Sequence, residues 1–211
     1  MVTKMNSTSS YYKSFREEVI PLLPPKYSRV LEIGCGEGNF RSNLKLDNIY
    51  WGIEPIAEAA EVAKTKLDEV LVGTYEEKIN EIPDNFFDLI ICNDVIEHMV
   101  DHDAFLASIK SKMKTNASLI SSVPNVRFIR NLTELLLKKD WQYKDRGILD
   151  RTHLRFFTEK SLKRCIKDNG YQIEQFIGLC PIRNSILKQI IFLIFGNDLR
   201  YLQFGIHIIP R

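Results

Sequence analysis

Three glycines fall within five residues, Gly34, Gly36 and Gly38, directly after the run "RVLEI". Such a loop brings bare backbone close to a ligand, because missing Cβ atoms leave room and permit left-handed backbone. Phosphate cradles use loops of this kind, but the dinucleotide fingerprint G-x-G-x-x-G wants its third glycine where Asn39 stands. Glu32 lies two residues before the first glycine, and Glu37 lies inside the loop. Two carboxylates there oppose a pyrophosphate and suit a ligand with positive charge, such as an ammonium or a sulfonium. Glu54, in "GIEP", follows Gly34 by 20 residues. A carboxylate at that distance accepts hydrogen bonds from both hydroxyls of a ribose, whichever adenosyl ligand carries it. Further on, Asp94, Glu97 and His98 spell D-x-x-E-H, and His153 stands in "RTHLRFF". What these side chains can do depends on the elements that place them.

Strand-like and helix-like runs alternate through much of the chain. "RVLEI" (29–33), "IYWGIE" (49–54), "EVLVG" (69–73), "FFDLIIC" (86–92) and "ASLISSV" (117–123) read as strands. The fourth is a continuous apolar run, expected of a strand buried on both faces. Helices are expected over 11–20, 39–46, 56–67, 103–113 and 158–170, the last with Thr158 as N-cap and Gly170 past its end. Segment 125–152 is irregular and rich in Trp, Tyr and charge. "YQIEQFIG" (171–178) and "YLQFGIHII" (201–209) read as late strands around the apolar "SILKQIIFLIFG" (185–196). Such alternation implies an α/β fold with a doubly wound, Rossmann-like parallel sheet and helices on both faces. Ligands of such sheets bind beyond the carboxyl ends of the strands, where the opening glycines lie.

Composition narrows the class further. The chain has 211 residues, 45% hydrophobic and 27% charged, the profile of one globular domain. A net charge of +2 offers no electrostatic footprint for nucleic acid. Cys35, Cys92, Cys165 and Cys180 form no CxxC pair and read as buried small residues in a reducing compartment. The start of the chain has no apolar leader and no run is long enough to span a membrane, so a cytoplasmic location is expected. Segment 185–196 is of core-helix length, and packing on the sheet or in a homodimer is expected of it.

"VLEIGCGEG" (30–38), "GIEP" (52–55) and "FDLIICNDVIEHMVD" (87–101) together resemble the class I S-adenosylmethionine-dependent methyltransferases. "DRTHLRFFTEKSL" (150–162) is similar to the branch that holds ubiquinone-pathway O-methyltransferases and glycan- or metabolite-modifying enzymes. The resemblance covers residues 11 to about 178. It implies a seven-stranded, mostly parallel sheet with an antiparallel last strand, in a single domain over 1–211 with 125–152 as an inserted acceptor lid. It implies S-adenosylmethionine as cofactor and S-adenosylhomocysteine as product. Gly34, Cys35 and Gly36 would present backbone to the methionine part, with Glu32 supporting its ammonium. Glu54 and the adjoining Pro55 would hold the ribose. Gly73, Thr74 and Tyr75 would run along the adenine; many relatives have an acidic residue where Thr74 stands, so that contact would come from backbone. Asn93 and Asp94 would line the methyl side, and Tyr11 and Tyr12 would close over the cofactor.

Methyl transfer from a sulfonium is an in-line displacement, helped by positioning and exclusion of water. A base is needed only where the acceptor is a hydroxyl or a protonated amine. His98 and His153 are the candidates. In some relatives E-x-x-E-H with a later histidine holds a divalent ion beside the acceptor hydroxyl; here Asp94, Glu97, His98 and His153 offer a similar set, and no metal is assumed. The lid's Arg127, Arg130, Trp141, Tyr143, Lys144 and Arg146 suit a small-molecule or glycan-type acceptor. Competing readings are an RNA 2′-hydroxyl acceptor, a cofactor-binding protein without turnover, and a nicotinamide-dependent dehydrogenase on the same fold.

Overall fold

A computed structural model describes residues 15–45, 47–183 and 185–211. Tyr11 and Tyr12 lie outside the described residues, as does most of the helix expected over 11–20. Its described end is a short 3-10 turn, Glu17–Leu22, which contains Pro21 and buries Val19 and Leu22.

Among the described residues seven strands form one sheet: β1 (Arg29–Ile33), β2 (Ile49–Glu54), β3 (Glu69–Val72), β4 (Phe87–Asn93), β5 (Met113–Pro124), β6 (Tyr171–Pro181) and β7 (Tyr201–Pro210), in the order β3-β2-β1-β4-β5-β7-β6. The first five pair in parallel, and β7 enters antiparallel between β5 and β6. Strand order reverses between β1 and β4, the switch point beyond whose carboxyl ends sheets of this kind bind their ligands. The apolar run of β4 is central, with Leu89, Ile90, Ile91 and Cys92 fully buried. Alternation of side chains sends Leu31 and Ile33 into one core and Val30 into another. α3 (His102–Ile109) and α5 (Glu159–Asp168) cover the first core with Phe105, Leu106, Leu162 and Ile166. α1 (Ala57–Ala63) covers the second with Ala60 and Ala63.

Local chemistry explains most element ends. Asp101 caps α3 by accepting from the Ala104 amide at 2.9 Å. Thr158 opens α5 in a reciprocal box with Ser161. Thr74 caps α2 (Tyr75–Lys78) in the same way with Glu77. The helix expected over 39–46 is only a 3-10 turn, Asn39–Asn43. Asn39, Ser42 and Asn43 are weak helix formers, and the Arg41 guanidinium leaves the turn to bond the Asn48 side chain. The irregular segment after β5 contains α4 (Ile129–Thr133), continued by a π turn over Glu134–Lys138. α6 (Ile186–Phe195), capped by Ser185, leaves most of its apolar side chains exposed, so packing on the sheet accounts for little of it. Cys35 and Cys92 are buried as expected, but Cys180 is exposed and Cys165 half-buried. No helix among the described residues is long and apolar enough to cross a membrane.

Candidate functional site

The glycine loop follows β1 at the strand-order reversal. Gly34, Gly36 and Gly38 all adopt left-handed φ, of 70°, 55° and 72°. A Cβ on Gly34 would stand 3.1 Å from the Val95 side chain, so loop and β4 tip approach closely. The Gly34 and Cys35 amides donate to the Ile53 carbonyl at 2.9 and 3.1 Å, tying the loop to β2. Beneath it, Gly52 leaves space for the Cys35 thiol; a Cβ there would lie 2.6 Å from Sγ.

Two buried carboxylates flank this loop. Glu32 is 4% exposed and accepts from the Tyr50 hydroxyl at 2.7 Å. Burial above all, with the charge of Glu54 adding, pushes its carboxyl up to about 8. Glu54 is 3% exposed; one oxygen accepts from the Gly36 amide at 2.8 Å and the other from Ile56 at 2.9 Å. Burial raises its carboxyl too, against those two amides. Each oxygen keeps lone-pair capacity for another donor. Pro55 is exposed beside it. The loop after β3 joins this crest through the Gly73 amide, 3.0 Å from the Glu54 carbonyl. Its side chains turn elsewhere: Thr74 is spent on its cap, and Tyr75 packs edge-on against Phe105 with its hydroxyl 3.0 Å from Ser108.

The β4 tip forms the other wall. Both amide atoms of Asn93 are buried and have no hydrogen-bond partner among the described residues. Asp94 holds a left-handed φ of 54°, and its amide donates to the Ser122 carbonyl at 3.1 Å. Its carboxylate is taken by the Arg16 guanidinium, by Ser122 at 3.2 Å and by Gln203 at 2.7 Å. Arg16 and Gln203 went unnoticed in the sequence, since they lie 78 and 109 residues away and share no motif with Asp94.

Beyond Asp94, Glu97, His98 and His153 come together, their candidate ligand atoms within 4.8 Å of one another. Glu97 is 1% exposed, and neither carboxylate oxygen has a hydrogen-bond partner among the described residues. Burial first, then the charge of Asp94, holds its carboxyl well above the ordinary range. His153 Nε2 lies 4.0 Å from Glu97, and the imidazoles meet edge-on at 4.7 Å. His153 Nδ1 lies 2.9 Å from the Ile148 carbonyl and His98 Nδ1 3.2 Å from that of Thr152. A carbonyl can only accept, so both rings donate through Nδ1 and keep Nε2 for another partner. Burial, then His153, pulls the His98 pKa below its ordinary value. The Glu97 carbonyl accepts from Leu154 and Arg155, pinning the end of segment 125–152 to this corner.

His153 borders two cavities. A small one of about 70 Å³ is lined by Asp94, Gly147, Ile148, Asp150, His153 and Gln203, among others. An open one of about 620 Å³ is lined by Tyr143, Arg151, His153, Leu154 and Phe156. Of the cations expected in the lid, Arg127 serves as a clamp to Asp198 at 2.6 Å and the Phe195 carbonyl at 2.8 Å, and Lys144 pairs with Glu134 at 3.1 Å. Arg151 lines the open cavity instead. Trp141 packs edge-on against Phe156 behind it.

Comparison with known proteins places this geometry in context. A family described as a methyltransferase domain matches residues 8–175. The chain is 28% identical over 161 residues to a mitochondrial ubiquinone biosynthesis O-methyltransferase of Schizosaccharomyces pombe, covering 72% of this chain and 58% of that protein. It is 29% identical over 160 residues to a ubiquinone biosynthesis O-methyltransferase of Bradyrhizobium diazoefficiens, covering 72% and 61%. The chain thus spans between 44% and 71% of the length of the curated relatives it matches, and 58% of the Schizosaccharomyces pombe protein. Among solved structures, a SAM-dependent methyltransferase of Thermotoga maritima, described as a possible histamine N-methyltransferase, superposes with a TM-score of 0.65 at 18% identity, covering 94% of this chain and 90% of that one. A SAM-dependent methyltransferase of Archaeoglobus fulgidus gives 0.60 at 20% identity, covering 90% and 88%.

Proposed function

The chain belongs to the methyltransferase-domain family and has the class I fold of S-adenosylmethionine-dependent methyltransferases, and from that premise we propose that it moves a methyl group from S-adenosylmethionine to a hydroxyl of a small-molecule or glycan-type acceptor. The observation that carries the donor is the pair of buried carboxylates, Glu32 and Glu54, around a left-handed glycine loop. Carboxyl groups there favour a cationic ligand, which draws Glu32 into its charged form, over a pyrophosphate. Gly34, Cys35 and Gly36 offer backbone to the methionine part, Glu32 its charge, and Glu54 its remaining lone pairs to the ribose. Pro55 and the backbone of Thr74 and Tyr75 border the adenine. The buried amide of Asn93, without a partner among the described residues, is free to bond the methionine part on the methyl side. Asp94 shapes that wall from its network with Arg16 and Gln203.

S-adenosylmethionine supplies a methyl activated by its sulfonium. The chain's task is then to hold an acceptor oxygen in line with the methyl carbon, exclude water and receive a proton. His153 suits the last role: its Nδ1–H is held by Ile148, its Nε2 lies 4.0 Å from Glu97, and both cavities border it. His98, held through Nδ1 in the same way, is the second candidate. Segment 125–152 serves as the acceptor lid, contributing Tyr143 and Arg151-adjacent walls of the open cavity and Gly147, Ile148 and Asp150 of the small one.

Glu97, His98 and His153 also fit a divalent cation. Glu97 has two orphaned buried oxygens, and each imidazole is oriented through Nδ1 by a carbonyl, the arrangement usual for metal-bound histidine. A cation there would lower the pKa of an acceptor hydroxyl. The test is transfer of labelled methyl to a panel of phenol, sugar and amine acceptors, with the protein as purified and after chelation. Transfer to hydroxyls, lost in His153→Ala, supports the proposal. Transfer to amines alone refutes the acceptor class, and S-adenosylmethionine binding without any transfer favours a protein without turnover.

A further inference from the structure

A second group of ligating side chains lies between α3 and α5. His102 and Asp103 open α3, and Cys165 belongs to α5. Their candidate ligand atoms lie within 4.8 Å of one another. His102 Nε2 stands 3.6 Å from Asp103 Oδ1. Two ligands of a tetrahedral zinc, held by bonds of about 2.0–2.3 Å, stand roughly 3.4–3.6 Å apart. That pair is therefore at ligating separation, and the Cys165 sulfur has to close by about 1 Å at most.

Each of the three is oriented and left short of a partner. His102 Nδ1 is buried without a hydrogen-bond partner among the described residues, an orphan that costs stability unless a ligand meets it. The ring is held edge-on against buried Phe157, with centroids 5.8 Å apart. The Asn169 side chain donates to Asp103 Oδ1 at 2.6 Å and to the Cys165 carbonyl at 3.0 Å. A carboxylate so held keeps lone pairs for an ion, and the amide acts as the outer partner that aims it. Burial first, then the charge of Asp103, pushes the Cys165 thiol up to about 11. The negative charge that discourages a thiolate attracts a cation, and a bound cation takes the place of the thiol proton. The Asp103 side chain is 65% exposed, which gives an ion its way in from solvent.

We propose that His102, Asp103 and Cys165 hold a zinc ion that staples α3 to α5, with water completing the tetrahedron. Sulfur, imidazole and carboxylate together suit zinc, whereas magnesium and calcium take oxygen donors. Binding forms the S–Zn bond and breaks S–H; the proton passes to solvent, and His102 ligates as the neutral imidazole. The site shares no residue with Glu97, His98 and His153, and those three offer no sulfur. Its effect is structural. α3 begins four residues after His98, and α5 begins six after His153. The Arg155 guanidinium already joins the two connecting segments by donating to the Val100 carbonyl at 3.0 Å. An ion between the helices fixes the spacing of the segments that carry the two imidazoles.

Cobalt loading of the full chain, after chelation and dialysis, is the test, because a cobalt–thiolate bond has a charge-transfer band in the near ultraviolet that nitrogen and oxygen ligands do not give. The wild type is expected to show this band with Co²⁺ and to lose it when Zn²⁺ is added. Cys165→Ser, close in size to the native side chain, is expected to abolish the band, while Cys180→Ser and Glu97→Gln keep it. Asn169→Ala is expected to weaken Co²⁺ binding about tenfold, as for an outer partner of a ligand. Zn²⁺ should also raise the Tm of the wild type more than that of Cys165→Ser. Absence of the band, its survival in Cys165→Ser, or its loss in Cys180→Ser each overturns the site. None of these results bears on S-adenosylmethionine binding, which is measured separately.

Discussion

Replacing Glu32 by Gln should stabilise the ligand-free protein and weaken its grip on the methyl donor. Glu32 is buried beside Tyr50 and Glu54, and its carboxyl sits near 8 instead of 4.5. Between those values the unfolded chain releases the proton and the folded one keeps it. Native stability therefore falls as pH rises through this window, by about 1.4 kcal/mol per pH unit and about 5 kcal/mol across it. Gln is shaped like the protonated acid and can accept the same bond from Tyr50, but it has no proton to lose. Urea denaturation without ligand should show Glu32→Gln gaining about 2 kcal/mol over wild type at about pH 6 and 4–5 kcal/mol at about pH 8. Donor binding should show the reverse. A cation near Glu32 favours the carboxylate, so wild type releases a proton on binding S-adenosylmethionine at neutral pH, seen as a dependence of the calorimetric heat on buffer ionisation. Glu32→Gln should bind about tenfold or more weakly and release none. Parallel pH–stability curves for the two proteins, or equal donor affinity, would refute the reasoning.

Gly52→Ala should cost about 1–3 kcal/mol in thermal or urea unfolding, because its Cβ would meet Cys35 Sγ at 2.6 Å and Leu67 at 2.7 Å beneath the glycine loop. An unchanged Tm would mean that the loop is not seated as described. Arg16→Met should cost about 2–3 kcal/mol, since Asp94 then keeps a half-buried charge near Glu97. The added substitution Asp94→Asn should recover part of the loss, and strict additivity of the two in urea denaturation would deny their coupling. His153→Ala should lower kcat by about 10²–10⁴ with donor affinity nearly unchanged. An equal loss in donor binding would make His153 a structural post.

The parallel half of the sheet was readable because its signals are local. The run "FFDLIIC" has the length and continuity expected of a strand buried on both faces, and Thr158 with Ser161 announced α5 by their spacing. Glycine loop, Glu32 and Glu54 follow from the same logic, since they sit at strand ends that the alternation already defines. β5 proved longer than expected, Met113–Pro124, because Met113 pairs with Phe87 across a register shift that the apolar pattern of 117–123 does not announce. Side-chain direction was less accessible. Nothing in "GTYEE" says that Tyr75 packs inward on Phe105 while only its backbone stays near the crest. The Arg16–Asp94–Gln203 network joins three distant segments, and distance in sequence hid it. D-x-x-E-H suggested Asp94 as part of a ligand set; the fold spends Asp94 on that network and gathers Glu97, His98 and His153 without it. The apolar run at 186–195 signalled burial, and the fold leaves that demand unmet within one described chain.

The central claim is that the glycine loop with Glu32 and Glu54 holds an adenosyl sulfonium. Calorimetric titration of the wild type and Glu54→Ala with S-adenosylmethionine and with NAD tests it most directly. The account predicts about micromolar binding of S-adenosylmethionine, weakened about tenfold or more in Glu54→Ala, and no heat from NAD. Binding of NAD with none of S-adenosylmethionine would contradict it.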